Sequence, residues 1–145
     1  MGLLTDTFFV KALQDTPSVN DAVDGRIFNP GRETADEMED RLPYIIVNFD
    51  KLTNEESTKD NANEGDIDKV DISLIICAED RIKLGTLSKN VRDAINDYWA
   101  NIDAAQAYEL DAPNWWTFST GSIALDQDRP CVFTTFYYSC DTNSR

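Results

Sequence analysis

The sequence predicts an α+β domain: a mostly antiparallel sheet of four to five strands with two helices packed on one face. Three observations carry this expectation. Two apolar runs, 42–50 (LPYIIVNFD) and 70–78 (VDISLIICA), flank a polar stretch, as two strands flank a loop. Directly after the second run, Leu84, Leu87, Val91, Ile95, Tyr98 and Ile102 step by three or four, which marks one face of a helix. The chain then closes with two aromatic, strand-like runs, 116–125 (WTFSTGSIAL) and 131–140 (CVFTTFYYSC), joined by a short polar connection that suits an antiparallel hairpin.

Taken in order, residues 6–14 begin a helix, with Thr5 or Asp6 as N-cap and Phe9, Ala12 and Leu13 on one face. Pro17 interrupts it, Val19, Ala22 and Val23 continue an apolar stripe, and Gly25 ends it. Residues 26–29 (RIFN) read as a short strand, followed by a Pro30-Gly31 turn and a charged surface connection over 33–41. In the strand over 42–50, Ile45, Val47 and Phe49 share one face and Tyr44, Ile46 and Asn48 the other. Apolar groups on both faces suggest a strand that is internal or covered by a partner. Pro43 fits only at the strand's start.

Residues 51–66 (KLTNEESTKDNANEGD) are too polar to pack and predict a mobile loop. Val70, Ile72, Leu74 and Ile76 then alternate with Asp71, Ser73, Ile75 and Cys77, the cleanest period-two signal in the chain. Asp80 is a reasonable N-cap for the long helix, and Gly85 weakens its first turn, which predicts regular helix from about Thr86. Residues 101–114 read as irregular or partly helical, and 141–145 as a frayed tail. One domain, 1–145, accounts for the whole pattern, and a chain of 145 residues can bury about 68–70% of its unfolded surface.

Charge and composition narrow the function. Thirteen Lys and Arg stand against 27 Asp and Glu, a formal charge of −14. Such a surface repels phosphate backbones, and no local basic patch offsets it, so direct nucleic-acid binding is not expected. There is no histidine, which removes Ser-His-Asp and Cys-His catalysis and His-bearing zinc sites within this chain. Cys77, Cys131 and Cys140, an odd number in apolar runs, read as reduced core thiols. On one extended strand Cys131 and Cys140 lie too far apart to bridge, whereas a bridge from Cys77 to either stays open. The N-terminus lacks a cationic lead and is a poor signal peptide. Gly2 suits myristoylation, but Asp6 stands where that motif needs a hydroxyl. No apolar run approaches the roughly 20 residues that span a membrane.

Few motifs stand out. Residues 60–71 have a calcium loop's length and its Gly65, but Ala62 and Asp71 replace a ligand and the closing Glu. Paired carboxylates for glycoside chemistry are too easily found among 27 acids to carry weight. Trp115-Trp116 can form a sugar-stacking platform; the plainer reading puts one in the core and the other at a rim or subunit interface. Tyr137-Tyr138 splits likewise across two sheet faces.

The helix leading into Gly25-Arg26-Ile27-Phe28, the run from Leu42 through Val47, the alternating strand over 70–78, the helix bearing Val91-Arg92-Asp93-Ala94-Ile95 and the aromatic C-terminal hairpin together resemble the tail-terminator (tail-completion) proteins of long-tailed phages and prophages. The resemblance covers about residues 6–138. It rests on the order of elements, since no residue signature defines the family, and the stretch 99–116 is longer and more acidic than the family pattern. It implies a small α+β structural protein of the virion, made in the host cytoplasm, that forms a six-fold ring with itself. The ring caps the tail tube protein, ends polymerisation and meets the head-completion or neck protein. It implies no enzyme, no cofactor and no membrane. In that setting the acidic loop, with Glu55, Glu56, Lys59, Asp60, Glu64 and Asp66, is the expected assembly and partner element. Trp115, Tyr137 and Tyr138 are the candidate interface aromatics. The alternative is a monomeric binding module for carbohydrate, or a calcium-dependent one, that uses the Trp pair and the acidic loop.

Overall fold

The computed structural model describes residues 2–30, 41–55, 67–103, 110–126 and 131–143. Its architecture is α+β, built on a mixed, mostly antiparallel sheet. The elements run α1 (Thr5–Gln14), α2 (Pro17–Asn20), β1 (Ile27–Phe28), β2 (Tyr44–Glu55), β3 (Ile67–Ala78), α3 (Arg81–Asn101), β4 (Trp115–Thr120), β5 (Ala124–Asp126) and β6 (Cys131–Asn143). The sheet order is β1-β2-β3-β6-β4, with β5 also on β6. Among the described residues, three α-helices and six strands thus replace the expected two and four to five.

The extra strand comes from a break. The run over 116–125 was expected to be continuous, but β4 pairs to Thr120↔Phe136 and β5 resumes at Ala124↔Phe133. Residues 121–123 therefore stand opposite 134–135, one residue too many for an unbroken ladder. Gly121 bridges the gap, its N–H donating to Thr135 O at 2.8 Å. Among the described strands β1 is the one parallel neighbour, Ile27↔Ile45 and Phe28↔Ile46. The covalent route from β1 to β2 is long enough for that sense, since parallel strands need a crossover.

β2 and β3 are longer than their apolar runs. β2 continues through Thr53↔Lys69, Asn54↔Asp68 and Glu55↔Ile67. Residues 51–55, expected in the loop, are strand, and 56–66 lie outside the described residues. β6 likewise runs to Asn143, pairing Thr142↔Asp68 and Asn143↔Ile67, so 141–143 are not frayed. The expected surface connection, apart from Arg41, also lies outside the described residues.

The helices cover one face. Phe8, Phe9, Ala12 and Leu13 of α1, Val19 and Val23, and Leu84, Leu87, Val91, Ala94 and Ile95 of α3 form one core with the inward side chains of the sheet. Ala22, expected on this stripe, is exposed. α3 begins at Arg81 rather than near Thr86, capped by Asp80, whose Oδ1 accepts the Lys83 N–H at 2.8 Å. Cap and buried stripe outweigh the cost of one glycine in the first turn. No side chain caps α1; a 3₁₀ turn, Gly2–Leu4, leads into it instead. The Thr5 hydroxyl donates to Gly2 O, and buried Asp6 accepts from Asn29 Nδ2 at 2.8 Å, tying α1 to the end of β1. Gly2 is required by close approach: a Cβ there would lie 2.5 Å from Thr142 Oγ1 and 2.8 Å from Val70 Cγ2.

All three cysteines are buried thiols. Among the described residues no helix is long and apolar enough to cross a membrane.

Candidate interaction surface

The face of the sheet turned away from the helices has two regions. At the end near β1, Phe28, Tyr44 and Cys77 are buried together, with Ile46, Ile75 and Phe133 packed against them. Towards the other end the same face turns polar and forms an open groove of about 390 Å³.

A slip in the sequence period builds the groove. Along β2, Val47 and Phe49 point inward and Asn48 outward. If the alternation continued, Lys51 would point into the core. Instead the register shifts between Phe49↔Ile72 and Lys51↔Asp71, leaving Asp50 unopposed. The β-bulge turns Lys51 outward beside Asp50 and returns Leu52 to the core side. Asp50 Oδ1 accepts from the buried Ser73 hydroxyl at 3.1 Å. Lys51 Nζ lies 3.8 Å from Asp71 Oδ2, an ion pair beyond hydrogen-bond length. Across β6 and β4 the groove continues over Ser139, Thr117 and Ser119 to Tyr137, which is 48% exposed. Tyr137 stands opposite Ser119, and its ring edge packs 3.5 Å from where a Cβ on Gly121 would sit.

The expected site residues separate. Glu55 ends β2 beside Ile67, while Glu56, Lys59, Asp60, Glu64 and Asp66 lie outside the described residues. Trp115 is 56% exposed on the outer face, opposite Asp141. Trp116 points inward against Phe8, Phe9, Trp99 and Tyr138. Adjacent strand residues face opposite ways, so the two tryptophans do not form one platform. Tyr137 and Tyr138 split in the same way. Tyr138 is the correction here: at 2% exposure it is core, packed on Phe9 and Phe118, and cannot meet a partner from that position. The calcium-loop geometry fails for the part that is described, because 67–71 is extended strand. Among the described residues no group of three or more acids or cysteines is arranged to hold a metal ion.

The buried acids are committed to the fold. Asp68 accepts from Asn54 Nδ2 at 2.7 Å and from the Gly2 N–H at 3.4 Å. Burial pushes the Cys140 thiol up to about 12, the charges of Asp71 and Asp141 adding to the rise. Burial also raises the Tyr138 phenol well above its usual range, against the opposing pull of Arg92. Neither group ionises near neutral pH.

Sequence reasoning missed several surface features. Ile82, off the buried stripe of α3, is 83% exposed beside a groove shared with Ala22 and Pro43. Ile123 and Leu125 are exposed along the β4–β5 edge. The off-stripe position of Ile82 and the polar pair Asp50-Lys51 inside an alternating run were readable signals. The break at Gly121 was a weaker one.

Compared with protein-family models and with curated proteins, the chain matches none.

Proposed function

We propose that this chain is a structural subunit of a phage tail, of the tail-terminator type. It assembles with itself into a six-fold ring that caps the tail tube, ends polymerisation of the tube and joins tail to head. It catalyses no reaction and takes no cofactor. The observation that carries this reading is the β4–β5 edge. An edge strand presents a row of backbone N–H and C=O groups, which invites pairing with another chain unless it is protected. Here the described part of the edge bears apolar side chains in solvent: Ile123 is 47% exposed and Leu125 76% exposed. A neighbouring subunit would cover them, and exposed apolar patches of this kind mark contact surfaces.

Light scattering at high concentration and negative-stain imaging test the reading. The wild-type chain should reach a mass near six subunits and show rings. Leu125→Lys should leave the subunit folded, because the side chain is already in solvent, and should abolish the ring. A wild-type chain that stays monomeric at every concentration and does not bind tail tube protein would refute the assignment.

A further inference from the structure

We propose that the polar groove on the outer face of the sheet docks an arginine-bearing segment of a basic partner protein. The groove is rich in acceptors. A carboxylate offers about four acceptor positions, and Ser73 takes one of those on Asp50. Asp71 is held by Lys51 only at 3.8 Å, and Lys51 is itself largely in solvent, so an incoming cation can displace it. Hydroxyls of Thr117, Ser119 and Ser139 line the space between these acids and the open ring of Tyr137. A guanidinium matches this set: it is planar, carries five N–H donors, stacks on an aromatic face and pairs with a carboxylate. An ammonium lacks the plane and two of the donors.

Charge selects the kind of partner. The chain carries −14, which draws a basic protein in and repels phosphate. A second copy of this chain is a poor occupant, since face-to-face contact would set Asp50 and Asp71 against the same acids. The bulge adds a reason of its own. It turns Lys51 out of the core onto this face, where alternation already sets Asp50, and leaves Asp50 with no residue opposite it on β3. This inference does not depend on the ring, because every group named lies within one subunit.

The test uses the 145-residue chain as a monomer and a fluorescein-labelled Gly-Arg-Gly-Arg-Gly peptide, with its lysine counterpart, followed by polarisation at low salt. Asp71→Asn and Tyr137→Ala should each weaken the arginine peptide about tenfold, the size of one partly desolvated charge or cation–π contact. Asp93→Asn, on the solvent side of α3, should change it less than about twofold, because it alters only the distant field. The lysine peptide should bind more weakly than the arginine peptide. Equal losses from Asp71→Asn and Asp93→Asn would mean attraction by net charge alone and would overturn the site. So would an arginine affinity that ignores Tyr137→Ala, or Tyr137-dependent binding of the neutral sugar maltoheptaose in place of the peptide. Should Tyr137→Ala fail to fold, amide shift changes on wild-type protein decide: confined to 50–51, 71, 117–119 and 137–139 they support the groove, and spread over the surface they refute it. A monomer that fails to form rings leaves these outcomes unchanged.

Discussion

Tyr138 and Cys140 show how single residues set the conditions under which the fold holds. Tyr138 Oη is buried without a hydrogen-bond partner among the described residues. A buried hydroxyl left unpaired costs about 1–3 kcal/mol. Tyr138→Phe keeps the ring contacts and removes the orphan group, so the melting temperature should hold or rise by a few degrees; a fall of more than about 1 kcal/mol in stability would show that the hydroxyl has a partner after all. The same burial creates a weakness in alkali. Both groups are acids whose ionisation is pushed up on folding, from 9.0 to about 12 for Cys140 and above 10.0 for Tyr138. The stability they contribute is complete below those unfolded values and is lost as pH rises, since the unfolded chain then releases protons that the fold retains. For Cys140 alone the loss approaches about 4 kcal/mol by pH 12, at about 1.4 kcal/mol per pH unit. Urea melts should therefore give flat midpoints from these groups up to pH 9 and a steep decline above it, shallower in Cys140→Ala. A midpoint that holds to pH 11 would contradict the linkage.

At the scale of elements, the long antiparallel ladder changes what the acidic stretch can be. Thr53, Asn54 and Glu55 are paired strand, and Asn54 holds the buried carboxylate of Asp68. Deleting 53–64 should therefore destabilise the subunit, by about 1–3 kcal/mol for the buried Asp68 oxygen left without its Asn54 donor alone. Replacing 56–66 with a short Asn-Gly turn should leave the fold intact. Comparing the two by thermal melts separates the ladder from the segment; equal melting temperatures would mean that the end of β2 contributes nothing. The physical reason that 51–55 was misread is instructive. Strand ends far from the core need not be apolar, because their hydrogen bonds are satisfied by the neighbour and not by packing. Where packing does decide, the sequence was legible: the alternation of 70–78, the stripe from Leu84 to Ile95 and the Asp80 cap all appear in place. The parallel sense of β1, the break at Gly121 and the bulge at Asp50 depend on partners distant in sequence. For the same reason the groove was not legible beyond the polar pair Asp50-Lys51; of the expected interface aromatics Trp115, Tyr137 and Tyr138, the first two are exposed and the third is buried.

For the molecule as a whole, charge would set the two proposed associations in opposition. Each subunit carries −14, so bringing copies together at the apolar β4–β5 edge works against long-range repulsion. Salt removes that repulsion: the screening length falls from about 30 Å at 0.01 M to about 3 Å at 1 M, while burial of Ile123 and Leu125 is hardly affected by it. Ring formation should therefore strengthen as sodium chloride rises from about 0.02 to 0.5 M, seen as a shift of mass-average molecular weight to lower protein concentration. Docking of an arginine peptide in the outer groove has the opposite sign, because screening weakens attraction between unlike charges. Measured on one preparation, the two salt slopes should diverge. Parallel slopes would identify a common driving force: both weakening means that the ring is held by charge pairs and not by its apolar edge, and both strengthening means that the peptide is held by burial and not by Asp50 and Asp71.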